Sequence, residues 1–159
     1  MGDGGSGKPT PQQVGRAGEH LVAGEILRRG GWASTFAGNM PDVDVLAANR
    51  DQSRTVWIQV KTKRGGATWQ TSINRGRKRT REVDPDRFWI LVDLAGEVPA
   101  YFVVPEWWMQ NDIYTAHRAY LNRSGGTRAR SPDSTHHAIP ISRVEQWREH
   151  WGELRIFGK

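Results

Sequence analysis

Pro41-Asp42-Val43-Asp44-Val45-Leu46-Ala47-Ala48, then Asn49 to Ser53, then Arg54-Thr55-Val56-Trp57-Ile58-Gln59-Val60-Lys61 is the stretch that decides how this chain folds. Apolar and polar residues alternate over 42–48 and again over 54–61, and Asn49-Arg50-Asp51-Gln52-Ser53 has turn chemistry, so the segment predicts a β-hairpin. Successive side chains of a strand face opposite ways. Val56, Ile58 and Val60 therefore share a core face, and Gln59 and Lys61 project from the other. In the first arm Asp42 and Asp44 share a face, with Val43 and Val45 opposite. Pairing the arms brings a carboxylate (Asp44), an amide (Gln59) and an ammonium (Lys61) onto one sheet surface.

Helix and strand signals surround this hairpin. Thr10-Pro11-Gln12-Gln13 opens a helix with a capping residue, a proline at the first helical position and Gln13 to complete a capping box. It is expected to run to about Arg29, before Gly30-Gly31, with Val14, Ala17, Leu21 and Val22 on a face that Gly18 and Glu25 interrupt. Residues 87–93 (RFWILVD) suit a central strand and 100–104 (AYFVV) another. Pro105 starts a helix with Met109, Ile113, Ala116 and Tyr120 on one side. A polar loop over 123–135 follows, and Ser142-x-x-Glu145 caps a last helix presenting Val144, Trp147 and Trp151. Residues 1–9 read as a flexible tail before one domain over 10–159. The tail's Gly2-x4-Gly7-Lys8 is not a phosphate-binding loop, because Pro9 stands where Ser or Thr is needed and no strand precedes it. This order of elements predicts an α/β (α+β) fold.

With 159 residues the chain makes one domain, and eight tryptophans among 36% hydrophobic residues exclude full disorder. No apolar run approaches the ~20 residues of a membrane span, and the start lacks a signal-peptide core. Cysteine is absent, which excludes disulfides, thiolate metal sites and a cysteine nucleophile. A cytoplasmic protein without membrane contact is expected.

The net charge of +6 points to an anionic partner. Its placement is sharper: Lys61, Lys63, Arg64, Arg75, Arg77, Lys78, Arg79 and Arg81 crowd one segment that holds no Asp or Glu. Gly, Ser, Thr, Asn and Trp69 interleave them, as in a segment that grips nucleic-acid phosphates. Trp69 is the indole expected to stack on a base. Trp107, Trp108, Trp147 and Trp151 are expected in the core, and the scattered histidines (His117, His136, His137, His150) lack ligand spacing.

Asp44 and Gln59 offer hard oxygen ligands of the kind Mg²⁺ accepts while keeping several waters. Such an ion polarises phosphoryl oxygens and acidifies water, and Lys61 beside it can orient that water and offset transition-state charge. Gln59 brings no negative charge, so a further acid is needed, and Glu19 on the first helix is the candidate.

Pro41-Asp42-Val43-Asp44 followed by Gln59-Val60-Lys61, behind Gly15-Arg16-Ala17-Gly18-Glu19, resembles the PD-(D/E)xK nuclease superfamily. It is similar to the branch with Gln at the second acidic position, which includes intron-encoded endonucleases, and in layout to archaeal Holliday-junction resolvases. The resemblance covers about 12–105, with 105–159 as a helical extension. It implies a restriction-endonuclease-like core: a mixed sheet flanked by helices, with a site at the sheet edge. By the same resemblance Asp44 is the metal-binding acid, with Asp42 as alternative, Gln59 takes the second acidic position, Lys61 is the lysine and Glu19 the helix acid. The expected activity is Mg²⁺-dependent (or Mn²⁺-dependent) endonucleolytic hydrolysis of DNA, in restriction, phage defence, repair or recombination. Lys63, Arg64, Trp69, Arg75, Arg77, Lys78, Arg79 and Arg81 would hold the DNA, and a homodimer is a candidate assembly for double-strand cleavage. The rival expectation is a catalytically inactive nucleic-acid-binding module on the same fold, and a third is a structural protein whose basic loop meets an acidic partner.

Overall fold

The computed structural model describes residues 7–38, 40–127 and 133–158; the first six residues of the expected tail and the middle of the expected polar loop lie outside them. Helix α1 (Pro11–Arg28) opens with the full capping box, Gln13 N–H to Thr10 Oγ1 and Thr10 N–H to Gln13 Oε1. Its buried stripe is Gly18, Val22, Ala23 and Ile26, at helical spacing. Gly18, expected to interrupt the apolar face, lies inside it, whereas Ala17 is exposed.

Strands β1 (Trp32–Thr35), β2 (Val45–Ala48), β3 (Thr55–Lys63), β4 (Thr68–Ser72), β5 (Arg87–Asp93) and β6 (Ala100–Pro105) follow, then α2 (Glu106–Arg123), β7 (His136–Pro140) and the one-turn α3 (Ile141–Val144). Five strands form a mixed sheet in the order β1-β2-β3-β5-β6, with β3 and β5 parallel and the other neighbours antiparallel. β2 and β3 form the expected hairpin, with Val45 opposite Ile58 and Ala48 opposite Thr55. β5 lies fourth of five, between β3 and β6, and is buried on both faces along 88–92, as its unbroken apolar run requires.

Each sheet face carries its own core. α1 and the C-terminal residues Trp151, Leu154 and Ile156 cover Val56, Ile58, Val60 and Ile90 on one side. On the other, α2, the β4–β7 ribbon and Val144 cover Trp89, Leu91 and Phe102. The mixed sheet flanked by helices is the fold class the sequence predicts.

Three expectations need correction. The residues after α2 are not a helical extension: they supply a strand that pairs with β4 and side chains to both cores. The last helix is a single turn followed by 3₁₀ turns at Glu145–Trp147 and Trp151–Leu154, and its start lacks any side-chain cap because Pro140, not Ser142, occupies the cap position. The segment 61–81 is not one basic loop, since it contains β4 and a 3₁₀ turn at Ile73–Arg75.

Gly18 sets the separation between α1 and the sheet. A Cβ there would lie 1.7 Å from Thr62 Oγ1 and 2.8 Å from Thr62 Cβ, so only glycine lets the helix approach β3 this closely. The next residue is Glu19.

Candidate active site

The β2–β3 ladder stops where the site begins. Asp44 N–H donates to Ile58 O at 2.8 Å, and the Asp44 carboxylate then accepts the Val60 N–H at 2.7 Å through Oδ2. A side chain thus serves where the next backbone carbonyl of a continuing strand would, and the carboxylate is fixed to β3. Asp42 lies outside the strand, in a left-handed conformation (φ 64°), and pairs with Arg75. That guanidinium holds the Asp42 carboxyl below the usual carboxylate range, against a smaller effect of burial.

Gln59 is buried, and its Oε1 accepts no hydrogen bond. A buried carbonyl oxygen without a partner is costly, and sites that tolerate one often reserve it for a ligand. Glu19 reaches the same place from α1, with Oε2 held at 2.6 Å by Arg16 Nη1, whose guanidinium also donates to Phe36 O at 3.2 Å. Glu19, Asp42, Asp44 and Gln59 together line one cleft of about 340 Å³, with Arg16 and Arg75 on its walls. The sequence offered no distinct signal for Arg75 in this role; Arg16 stands at i−3 from Glu19, a spacing at which helix side chains meet.

Lys61 stands two residues beyond Gln59 on β3, half-buried. Burial pushes its ammonium below the ordinary lysine range; Asp44 and Asp42 oppose that and Arg75 reinforces it. Lys61 is therefore electrostatically coupled to both aspartates.

The basic segment divides. Lys63 is not available to a phosphate: only 7% exposed, it pairs with Asp93 at 2.7 Å, donates to Gly66 O and lies over the Trp69 ring. Burial raises the Asp93 carboxyl, but Lys63 and the Ala95 N–H outweigh it and hold the group low. Trp69 is not a base-stacking platform. It is buried on β4, its Nε1 donates to Val92 O at 2.9 Å and its ring meets Phe102 edge-on. The alternation of β4, Trp69 in and Gln70 out, explains both its burial and its concealment within a charged block.

Arg64, Arg77, Lys78 and Arg81 are exposed. Beyond the 3₁₀ turn that ends at Arg75, the chain runs along α2, where Arg77 N–H donates to Gln110 O and Arg79 N–H to Asn111 Oδ1. Trp151 is buried, and Trp108 and Trp147 pack edge-on 5.5 Å apart. Among the described residues no helix is long and apolar enough to cross a membrane.

No protein-family model matches the chain, and no curated protein matches it. Solved structures do. The bacterial homing endonuclease I-Ssp6803I superposes with a TM-score of 0.52 at 14% identity, over 92% of each chain. The Holliday junction resolvase Hjc of Archaeoglobus fulgidus superposes with a TM-score of 0.50 at 13% identity, over 91% of this chain and 98% of that one. Over nearly its whole length the chain therefore has the fold of these two nucleases, here a mixed five-stranded sheet flanked by helices.

Proposed function

We propose that this protein is a divalent-metal-dependent endonuclease that hydrolyses DNA phosphodiesters, with Mg²⁺ (or Mn²⁺) as cofactor. The observation that carries the reading is the convergence of Glu19, Asp44 and Gln59 on one cleft, where the Gln59 carbonyl oxygen is buried without a partner. Two carboxylates and an amide oxygen are the hard, oxygen-only donor set that Mg²⁺ accepts, so the residues fit the ion. Asp44, Gln59 and Glu19 would hold it, and when bound it would supply Lewis-acid polarisation of a phosphate and an acidified water.

The chain's own residues supply the rest. The Val60 N–H fixes the Asp44 carboxylate and Arg16 fixes Glu19, so neither acid has to be ordered when substrate arrives. Lys61 Nζ donates a hydrogen bond to the attacking water or to a non-bridging oxygen of the phosphate. Because burial weakens its hold on the proton, it also exchanges protons more readily than a surface lysine. Arg64, Arg77, Lys78 and Arg81 are exposed cations for the DNA backbone, and Arg75 and Arg79 line the route to the cleft. Two copies would be needed to cut both strands at one site.

A silent nucleic-acid-binding module has one observation in its favour: among the described residues, no three His, Asp or Glu side chains gather as a metal site. Incubation with linear, supercoiled, single-stranded and branched DNA, in Mg²⁺, Mn²⁺ or EDTA, separates the two. Metal-dependent cleavage that is lost in Asp44→Asn, which keeps an acceptor for the Val60 N–H, supports the nuclease. DNA binding without cleavage of any substrate, and calorimetric metal affinity no different from that of Asp44→Asn, overturns it.

A further inference from the structure

Beside the cleft lies a smaller pocket of about 140 Å³, walled by Arg75, Arg77, Arg79, Trp89, Glu106 and Gln110. Arg75 lines both, so the two cavities adjoin. Trp89 stands opposite Gln59 in the β3–β5 register, is only 2% exposed, and its indole N–H closes no well-formed hydrogen bond. A buried indole nearly always finds an acceptor.

The other groups repeat that imbalance. Gln110 spends Oε1 on Arg79 Nε at 2.8 Å, which leaves its amide as a donor. Arg77 uses Nη1 on the carbonyls of Asn74 and Gly76, and a guanidinium has five N–H groups. Glu106 is the one carboxyl on the wall; the Trp89 N–H draws on it, but not in the geometry of a well-formed hydrogen bond. Burial pushes that carboxyl above the ordinary glutamate range, against the pull of Arg87 and Trp89. The pocket is rich in donors and poor in acceptors. A nucleobase edge presents both kinds of group, whereas a phosphodiester presents acceptors alone and carries the charge that three arginines match.

We infer that this pocket seats one backbone phosphate of the DNA strand that enters the adjoining cleft, with Trp89 Nε1, Arg77 and Arg79 as its donors. The inference rests on the nuclease reading and adds to it a fixed register: the strand is held at a second phosphate beside the one in the cleft. Trp89, which the sequence presents as an ordinary core residue of β5, becomes a positioning residue that contributes no charge.

The test uses metal-free full-length protein labelled with ¹⁵N. Eight tryptophans give eight indole resonances, and the one missing from Trp89→Phe identifies Trp89. Duplex DNA, an abasic oligonucleotide and millimolar inorganic phosphate should each move that resonance downfield. Trp89→Phe should bind duplex about tenfold more weakly, as for one lost hydrogen bond to a charged group, with an unchanged salt slope. Arg79→Gln, which does not depend on the tryptophan substitution folding, should reduce the slope by ~0.9. DNA binding that leaves the Trp89 resonance and the affinity of Trp89→Phe unaltered overturns the phosphate seat and leaves the nuclease reading standing. A shift with normal duplex but none with abasic DNA or phosphate makes this a base pocket and also overturns it. Wild-type protein that binds no DNA at low salt overturns the nuclease reading and the phosphate seat together.

Discussion

Gly18→Ala tests the seam between α1 and β3. The added Cβ would sit 2.8 Å from Thr62 Cβ, a contact that no side-chain rotation relieves, because Cβ is fixed by the backbone. Thr62 Oγ1, at 1.7 Å, can rotate away; the backbones must still part. Overpacking of this kind costs about 1–3 kcal/mol, and the better helix propensity of alanine returns up to about 1 kcal/mol. A net loss of about 1–2 kcal/mol is expected, roughly 2–8 °C in melting temperature for a domain of this size. Urea and thermal unfolding measure it. Thr62→Ala in the same chain removes Oγ1 and the Cγ2 methyl but not Cβ, so it should restore part of the loss. Since Glu19 follows Gly18, retreat of the helix also moves the acid out of the cleft, and cleavage at saturating DNA should fall by more than affinity does. A Gly18→Ala protein as stable and as active as wild type would refute the close-approach argument.

Lys61→Met should abolish cleavage yet raise stability at pH 7, because burial is the largest influence on that ammonium. Its folded pKa lies below its unfolded one, so the penalty is complete below the folded value and fades as pH rises from there toward the ordinary lysine pKa; the variant's advantage over wild type in urea melts should shrink across that window. Gln59→Glu should tighten Mg²⁺ at least about tenfold in calorimetry and retain cleavage, since a full charge at ~4 Å is worth a few kcal/mol even at an effective dielectric constant of 20; undetectable metal affinity in both proteins would favour the silent module. Lys63→Met should cost about 3 kcal/mol by stranding Asp93, with no change in the salt dependence of DNA binding measured by anisotropy. Replacing Arg77, Lys78 and Arg79 together by Ala should instead flatten that dependence by up to roughly 2–3 units and weaken all DNA sequences alike.

How far the sequence could be read depended on whether a residue's environment was local. The capping box of α1, the β2–β3 hairpin and the buried run of β5 are set by neighbours within a few positions, and each stands where its pattern put it. β1 has four residues with no strong alternation, and β4 and β7 are ordered by each other across more than 60 residues, which no local window contains. Lys63 and Trp69 were hidden for the same reason: their partners, Asp93 and Val92, belong to another strand. At the site, strand alternation put Gln59 and Lys61 on one face, but the left-handed turn that sends Asp42 to Arg75 leaves no mark in the alternation of 42–48. Gly18 looked like a flaw in an apolar face, because what it accommodates is the Thr62 side chain of β3, distant in sequence.

The hydrogen bond from Val60 to Asp44 makes one residue answer to two kinds of selection. The same carboxylate that faces the cleft also completes the hairpin, so a lineage cannot discard it without loosening the centre of its sheet. Glu19, held by one arginine on a helix surface, has no such tie. Descendants that abandon chemistry should therefore shed the acid of the helix first and keep an acceptor, Asp or Asn, at position 44 for the sake of the fold. Among chains of this architecture, an acceptor at that position testifies to folding, and the acid on α1 testifies to catalysis.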